Sequence, residues 1–87
     1  MDRFHEIEVF VAVADTGGFA SAGRRLRLSP AAVTRAVAGL EARLGARLLN
    51  RTTRSLSLTE AGTEFLEGAR RILAEWEGAS RVAGGRS

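Results

Sequence analysis

The sequence predicts one small, mainly α-helical domain that also contains a short β-hairpin. Four stretches have apolar residues three and four positions apart, which is the spacing of one helix face. Over residues 47–58 the spacing changes to two, as expected of two short strands. The chain has 87 residues, of which 45% are hydrophobic, which is enough for one domain with a single core.

The first two predicted helices are short and end at recognisable signals. The first covers Phe4 to Ala14, with Asp2 as its cap and Gly17 and Gly18 after its end. Its apolar face consists of Ile7, Phe10, Val11 and Ala14. The second covers Phe19 to Leu26, with Gly18 in the N-cap position. Its inward-facing residues are Phe19, Ala22, Gly23 and Leu26.

The third helix lies in "SPAAVTRAVAGLEARLG", between Ser29 and Gly45. Ser29 is a good N-cap, Pro30 suits the first helical position, and Gly45 is a stop signal. The predicted buried stripe is Val33, Val37, Leu40 and Leu44. The opposite side, called here the outer face, consists of Ala31, Thr34, Arg35, Ala38 and Ala42. Such a face is small for a solvated helix, which usually carries Lys and Glu.

A small outer face on the second of two helices joined by a tight turn is typical of a helix-turn-helix. We predict this motif over about residues 19–38, with its second helix in the DNA major groove, which is about 12 Å wide. Thr34 and Arg35 can reach base edges or phosphate, and the alanines allow close approach. The N-terminal end of the helix favours a phosphate. The predicted DNA-binding residues of this helix are Ser29, Pro30, Ala31, Thr34, Arg35 and Ala38.

The predicted hairpin follows directly and forms a wing over about residues 47–58. "RLLN" and "SLSL" form its strands, and "RTTR" joins them. We expect Arg51, Thr53 and Arg54 to contact DNA phosphates or a narrow minor groove. The alternative for this segment is an ordinary solvated turn.

The fourth predicted helix is long, covers residues 59–83 and begins at the cap Thr59. Its apolar face includes Phe65, Leu66, Ala69, Ile72, Leu73 and Trp76. A domain this small leaves part of such a face uncovered, so we expect a homodimer through this helix. Residues 84–87 are expected to form a flexible end.

The basic residues are concentrated in the middle of the chain. All 13 are arginines, and eight of them lie between Phe19 and Arg54, a segment that contains only one of the ten acidic residues, Glu41. This segregation indicates one surface that meets a polyanion. The alternative is a mixed charged surface that serves solubility.

Several function classes are disfavoured. The chain has no cysteine, which excludes disulfides and thiolate metal sites and fits a reducing cytoplasm. No apolar stretch is long enough to span a membrane. His5 beside Glu6 is interpreted as a surface residue, and no catalytic set, phosphate loop or metal-ligand spacing is found. An enzyme is therefore the least favoured hypothesis, and no cofactor is expected.

The segment "FVAVADTGGFASAGRRLRLSPAAVTRAVAGLEARLGARLLNRTTRSLSLTEAG", Phe10 to Gly62, resembles the DNA-binding region of LysR-type transcriptional regulators. The resemblance implies a bacterial, cytoplasmic regulator with a winged helix-turn-helix at 1–58, and a linker helix that pairs antiparallel in a dimer. It also implies that Pro30, Ala31, Thr34 and Arg35 touch DNA, as do Arg51 and Arg54 of the wing. The family's effector-binding domain and inducer site are not expected in this chain. Glycine at position 23, where the family usually has alanine, is expected to loosen the second helix.

The leading hypothesis is therefore specific binding of double-stranded DNA by a dimer. The alternative is a helical protein–protein interaction module in which the basic middle only aids solubility.

Overall fold

The computed structural model of the protein describes residues 2–52 and 55–84, which form four helices and one two-stranded sheet. The elements in chain order are α1 (Arg3–Thr16), α2 (Phe19–Leu26), α3 (Pro30–Leu44), β1 (Leu49–Arg51), β2 (Leu56–Leu58) and α4 (Glu60–Gly84). The predicted fold class, a winged helix-turn-helix with a long final helix, is confirmed.

The predicted helix caps form because each is a local interaction. The side-chain oxygens of Asp2, Ser29 and Thr59 each accept a backbone N–H from the first turn of the helix that follows. At the other ends, α1 and α3 stop at Gly17 and Gly45, which have φ values of 82° and 67° in the left-handed region. These signals place both ends of α3, so its position in the sequence is well defined.

α1 is the central helix of the domain, and it is buried on more than the single face that was predicted. Its buried residues are Glu6, Ile7, Val9, Phe10, Val11, Ala12 and Val13. Ala14, which was predicted to be on the apolar face, is only half-buried. The reason is that α2, α3 and α4 all pack against α1, so no single face can describe its burial.

The inner side of α3 packs on α1 and α2 and agrees with the predicted stripe, with one exception. Val33, Val37 and Leu40 are buried, and Ala36 joins them. The prediction was wrong for Leu44, which is 43% exposed. Leu44 lies in the last turn of α3, where a helix end has fewer neighbours to cover it.

Gly23 allows a close approach between α2 and the turn that follows. It is buried, and a Cβ added to it would lie 2.5 Å from the carbonyl oxygen of Leu28. The backbone N–H of Leu28 also donates to the carbonyl of Gly23 at 2.8 Å. Glycine at this position therefore fits the geometry of the turn, which corrects the expectation that it merely loosens α2.

The hairpin and α4 extend from the three-helix core. β1 and β2 are antiparallel, with Leu49 opposite Leu58 and Arg51 opposite Leu56. α4 starts directly after β2 and packs against α1, and the molecule measures 46 Å along its long axis and 25 and 21 Å in the other directions. The start of the wing lies next to α3, because the N–H groups of Leu48 and Leu49 donate to Glu41 of that helix.

Candidate nucleic-acid interface

The outer face of α3 is exposed along its whole length. Ala31, Thr34, Arg35, Ala38 and Ala42 are all exposed. The inner side of the same helix, at Val33, Ala36 and Val37, has no accessible surface. α3 therefore presents small side chains and one arginine to solvent while its other side is fixed in the core. This orientation is the one predicted, whereas the contact of these residues with DNA stays a prediction.

The polar groups at the start of α3 are partly engaged by the helix itself. The Ser29 hydroxyl oxygen accepts the N–H of Ala32 at 3.1 Å, which leaves its hydrogen free to donate. The Thr34 hydroxyl donates to the carbonyl of Pro30 at 3.0 Å. Towards solvent Thr34 therefore offers its methyl group and its oxygen lone pairs, which are an apolar contact and a hydrogen-bond acceptor.

Arg35 is the charged group of the outer face. It is exposed, and within residues 2–52 and 55–84 it forms no ion pair. Its neighbours on the face are Ala31, Ala38 and Ala42, whose side chains have no acceptor group that could bind its guanidinium. This side chain can therefore reach outward to a base or a phosphate.

The wing is tied to α3 by Glu41, a residue that was not predicted to have a role. One oxygen of its carboxylate accepts the N–H groups of Leu48 and Leu49 at 2.8 and 3.2 Å. The other oxygen lies 3.5 Å from the Arg51 guanidinium. The signal available in the sequence was that Glu41 is the one acid in a strongly basic segment.

Arg51 is an exposed residue of β1 whose guanidinium is turned towards two other parts of the chain. Besides its pairing with Glu41, its guanidinium carbon lies 5.2 Å from the centre of the Phe19 ring, and its side chain is 32% exposed. The predicted contacts Thr53 and Arg54 lie outside the described residues. On either side of them, Thr52 and Ser55 are joined by backbone and side-chain hydrogen bonds of 2.9–3.0 Å, which hold the hairpin closed.

An open cleft of about 420 Å³ separates the C-terminal half of α3 from the start of the wing. Its helix side is formed by Ala38 and Ala42, and its wing side carries Arg47 and Arg51. The small side chains of the outer face thus continue into a recess bounded by arginines.

A second carboxylate, Glu6 of α1, holds the other side of α3 and was also missed. It is 2% exposed, and its oxygens accept the Nε and terminal N–H groups of Arg43 at 2.9 and 3.3 Å. These hydrogen bonds and the charge of Arg43 lower the pKa of Glu6, although its burial opposes the shift. The pair fixes the end of α3 on α1. The contact between the two residues was not predicted from the sequence.

α4 leaves large apolar side chains uncovered on part of its length. Ile72, Trp76 and Val82 are 44%, 59% and 80% exposed, although Trp76 also meets the ring of Phe4 edge-on at 5.4 Å. Three of the predicted pairing residues, Phe65, Leu66 and Leu73, are partly buried against the core of the same chain. Ala69 is wholly buried. The prediction is therefore corrected for Ala69, which has no surface to offer a second copy.

Residues 2–52 and 55–84 offer neither a membrane-spanning helix nor a cluster of metal ligands. None of the helices there is both long and apolar enough to cross a membrane. No group of three or more His, Asp or Glu side chains could hold a metal ion in the same residues.

Comparison with known proteins gives a consistent family. The family model for "Bacterial regulatory helix-turn-helix protein, lysR family" matches residues 4–63. The HTH-type transcriptional regulator CrgA of Neisseria meningitidis is 50% identical over 70 residues, which are 80% of this chain and 23% of CrgA. The HTH-type transcriptional activator AaeR of Escherichia coli is 43% identical over 75 residues, 86% of this chain and 24% of AaeR. The chain thus spans about a quarter of the length of these relatives.

Solved structures are similar over nearly the whole chain. The DNA-binding domain of CbnR in complex with DNA has a TM-score of 0.82 and 44% identity, and the alignment covers 99% of this chain and 100% of that one. The DNA-binding domain of BenM with catB site 1 DNA has a TM-score of 0.86 and 28% identity, with the same coverage. Oxidised OxyR of Corynebacterium glutamicum has a TM-score of 0.90 and 30% identity, over 94% of this chain and 25% of OxyR.

Proposed function

Because the chain belongs to the LysR family of bacterial regulatory helix-turn-helix proteins, we propose that it binds double-stranded DNA with sequence specificity. The observation that carries the proposal is the outer face of α3, where an exposed Thr34 and Arg35 stand among alanines. Two similar structures, of CbnR and BenM, are DNA complexes. In this chain the outer face of α3 has the size and polarity that a major groove accepts.

In the proposed complex, α3 enters the major groove with its outer face towards the bases. The amide end of the helix, at Pro30 and Ala31, and the free hydroxyl hydrogen of Ser29 suit a backbone phosphate. Thr34 offers a thymine its methyl group, or a base amino group its lone pairs, because its own hydrogen is donated to Pro30. Arg35 reaches guanine or phosphate, and Ala38 allows the helix backbone to come close.

The wing is the second proposed DNA element. It lies beside α3 across the cleft that Ala38 and Ala42 share with Arg47. A hairpin in that place reaches the DNA backbone next to the groove that α3 occupies. The predicted contacts of Thr53 and Arg54 with phosphate or the minor groove belong to this proposal.

We also propose that two copies pair through α4. Its exposed apolar side chains, with Ile72 and Trp76 at the centre, are the kind of surface that a second copy covers. The partly buried Phe65, Leu66 and Leu73 would supply the edge of the same contact. Pairing places the two copies of α3 one turn of the DNA helix apart, about 34 Å, or at a spacing that is reached by bending the DNA.

The proposed role is regulation of transcription in the cytoplasm, where bacterial DNA lies, rather than catalysis. CrgA and AaeR, named as transcriptional regulators, support this role. The site that carries it is made of hydrogen-bonding and apolar contacts to DNA, and no reacting group is assigned in it.

The test is selection of bound duplexes from a random DNA pool, followed by affinity measurements on the selected and a scrambled duplex across a salt series. We expect enrichment of one sequence, a specific affinity at least about a thousandfold above the non-specific one, and strong salt dependence.

The second candidate function is a protein–protein interaction module, which the exposed Ile72 and Trp76 favour. Under that hypothesis the chain self-associates, shows no enrichment in the selection and is not retained on DNA at modest salt. That combination would overturn the proposal of DNA binding.

A further inference from the structure

Arg51 connects the wing to both helices of the helix-turn-helix. It lies in β1, its guanidinium is 3.5 Å from the Glu41 carboxylate of α3, and the same group lies 5.2 Å from the centre of the Phe19 ring of α2. We propose that Arg51 is a positioning residue that fixes the wing on the helix-turn-helix, instead of the DNA contact predicted from the sequence. The inference rests on the proposed function, since it assigns a role within DNA binding.

Glu41 makes the connection specific because one carboxylate holds both the backbone and the side chain of the wing. One oxygen accepts the N–H groups of Leu48 and Leu49, and the other faces Arg51. The Glu41 side chain is 12% exposed, so water competes little for it. Moving β1 relative to α3 would break all three interactions together.

Phe19 provides the second point of attachment. It is the first residue of α2 and packs against the buried core, so its ring is held in place. A planar guanidinium stacks on an aromatic ring in a way that a lysine ammonium does not reproduce. The wing is therefore fixed against α2 as well as α3, which are the two helices that must present a constant surface to DNA.

The same geometry disfavours a direct phosphate contact. The Arg51 side chain is only 32% exposed, and its charge faces a carboxylate. A phosphate would have to compete with Glu41 and the Phe19 ring for the guanidinium. We infer that DNA binding uses Arg51 in its internal position, with the wing held at a fixed distance from α3.

Two neutralising variants distinguish the roles because their charge effects are opposite. Arg51→Gln removes a positive charge, and Glu41→Gln removes a negative one while its amide oxygen can still accept from Leu48 and Leu49. If Arg51 positions the wing, both variants weaken binding to the selected duplex by about fivefold, and the double variant is no weaker than the worse single one. If Arg51 contacts phosphate, Glu41→Gln frees it and binding stays equal or tightens, which would overturn the proposal.

The variant Arg51→Lys and the salt dependence of DNA affinity give a second way to distinguish a positioning role from a phosphate contact. Lysine keeps a phosphate contact but not the stacked position, so positioning predicts that Arg51→Lys binds as weakly as Arg51→Gln. It also predicts a slope of log K against log salt close to wild type for both variants. Arg47→Gln removes the same charge from the start of the wing and is the matched control. A wild-type affinity for Arg51→Lys, or a slope lowered by about one in Arg51→Gln alone, would overturn the proposal.

The attachment is also measured without DNA. Unfolding of the single and double variants at positions 41 and 51 forms a cycle, and positioning predicts that the two losses of stability are not additive. The backbone amide hydrogen and nitrogen resonances of Leu49, which lies equally far along the chain from Arg47 and Arg51, should shift in Arg51→Gln and stay in place in Arg47→Gln. If the wild-type chain binds no DNA, the proposed function fails, while additive losses and an unmoved Leu49 amide would overturn the attachment itself.

Discussion

α3 and α4 each leave one side uncovered, and the two uncovered sides differ in chemistry. The outer face of α3 has alanines around Thr34 and Arg35 and carries no large apolar side chain. α4 exposes Ile72, Trp76 and Val82. The first surface suits a polar, hydrated groove. Exposure of the second surface to water is unfavourable in free energy until an apolar partner covers it.

This difference shows that amphipathicity alone does not identify the partner of a helix. Both helices bury one side against α1, so both have a core-facing stripe of the same kind. The size and polarity of the opposite side decide what it can meet.

The buried start of α4 should show the largest effect. A Cβ added at Gly62 would overlap the carbonyl oxygen of Leu48, which is backbone and cannot move aside. We expect Gly62→Ala to lower the unfolding temperature by more than about 10 °C, because the first turn of α4 can no longer pack on the backbone of Leu48.

The control is Gly78→Ala in the same helix, where an added Cβ meets nothing within 4 Å. This variant should raise the stability by about 1 kcal/mol. Equal unfolding temperatures for the two variants would mean that α4 is not anchored as described.

The exposed side of α4 should control self-association. Ile72→Glu puts a charge at the centre of the apolar surface, and the dimer dissociation constant measured by sedimentation should rise by at least about thirtyfold. Ala74→Glu, about 200° further round the helix, is the control and should change little. A wild-type chain that stays a strict monomer at high micromolar concentration contradicts the proposed pairing.

The buried side of α3 should show a pH-dependent effect through Glu6 and Arg43. Because the pKa of Glu6 is lowered from 4.5 in the folded chain, its ion pair stabilises the fold fully above that value. The contribution is lost as the pH falls through the lowered pKa. Glu6→Gln should thus lower the unfolding temperature by about 5–10 °C at neutral pH, with a smaller difference in acid.

Thermal unfolding measured between neutral pH and acid checks this, with Glu8→Gln, an exposed carboxylate of the same helix, as control. If the difference in unfolding temperature between the wild type and Glu6→Gln grew as the pH fell, it would contradict the stabilising role of the Glu6–Arg43 ion pair.

A single hydroxyl on the exposed side of α3, that of Thr34, should have a smaller effect, confined to specificity. Thr34→Ala should reduce discrimination at one base position of each half-site by about 1 kcal/mol and leave non-specific binding nearly intact. Thr63→Ala is a matched control because the Thr63 hydroxyl also donates four residues back, at 3.1 Å, on α4. The measurement is the affinity for duplexes that carry single base substitutions. If Thr34→Ala lost the same affinity on every sequence, Thr34 would contact the DNA backbone and not a base.

Local signals made the ends and faces of α3 predictable from the sequence. Ser29, Pro30 and Gly45 act within one turn of the chain, and the spacing of Val33, Val37 and Leu40 reflects one helix face. The same spacing also predicted the outer face, so the candidate site was predictable from the sequence although the residues that hold it in place were not.

The parts that escaped prediction depend on residues brought together by the fold. Glu6 and Arg43 are 37 positions apart, and the contact of Arg51 with Phe19 requires the wing to lie over α2. The burial of α1 on several sides requires three helices to pack on it at once. No spacing rule contains such distances, so Glu6 and Arg43 had no predicted partner, and Arg51 was predicted to contact DNA.

The central claim is that the outer face of α3 meets DNA, and Ala38→Glu tests it most directly. Ala38 is exposed and Ala36, two residues earlier, has no accessible surface, so the same substitution at the two positions separates the two sides of one helix. The account predicts that Ala38→Glu abolishes DNA binding with helix content and unfolding temperature near wild type, while Ala36→Glu unfolds the domain. Unfolding by Ala38→Glu, or full DNA affinity in that variant, would contradict the claim.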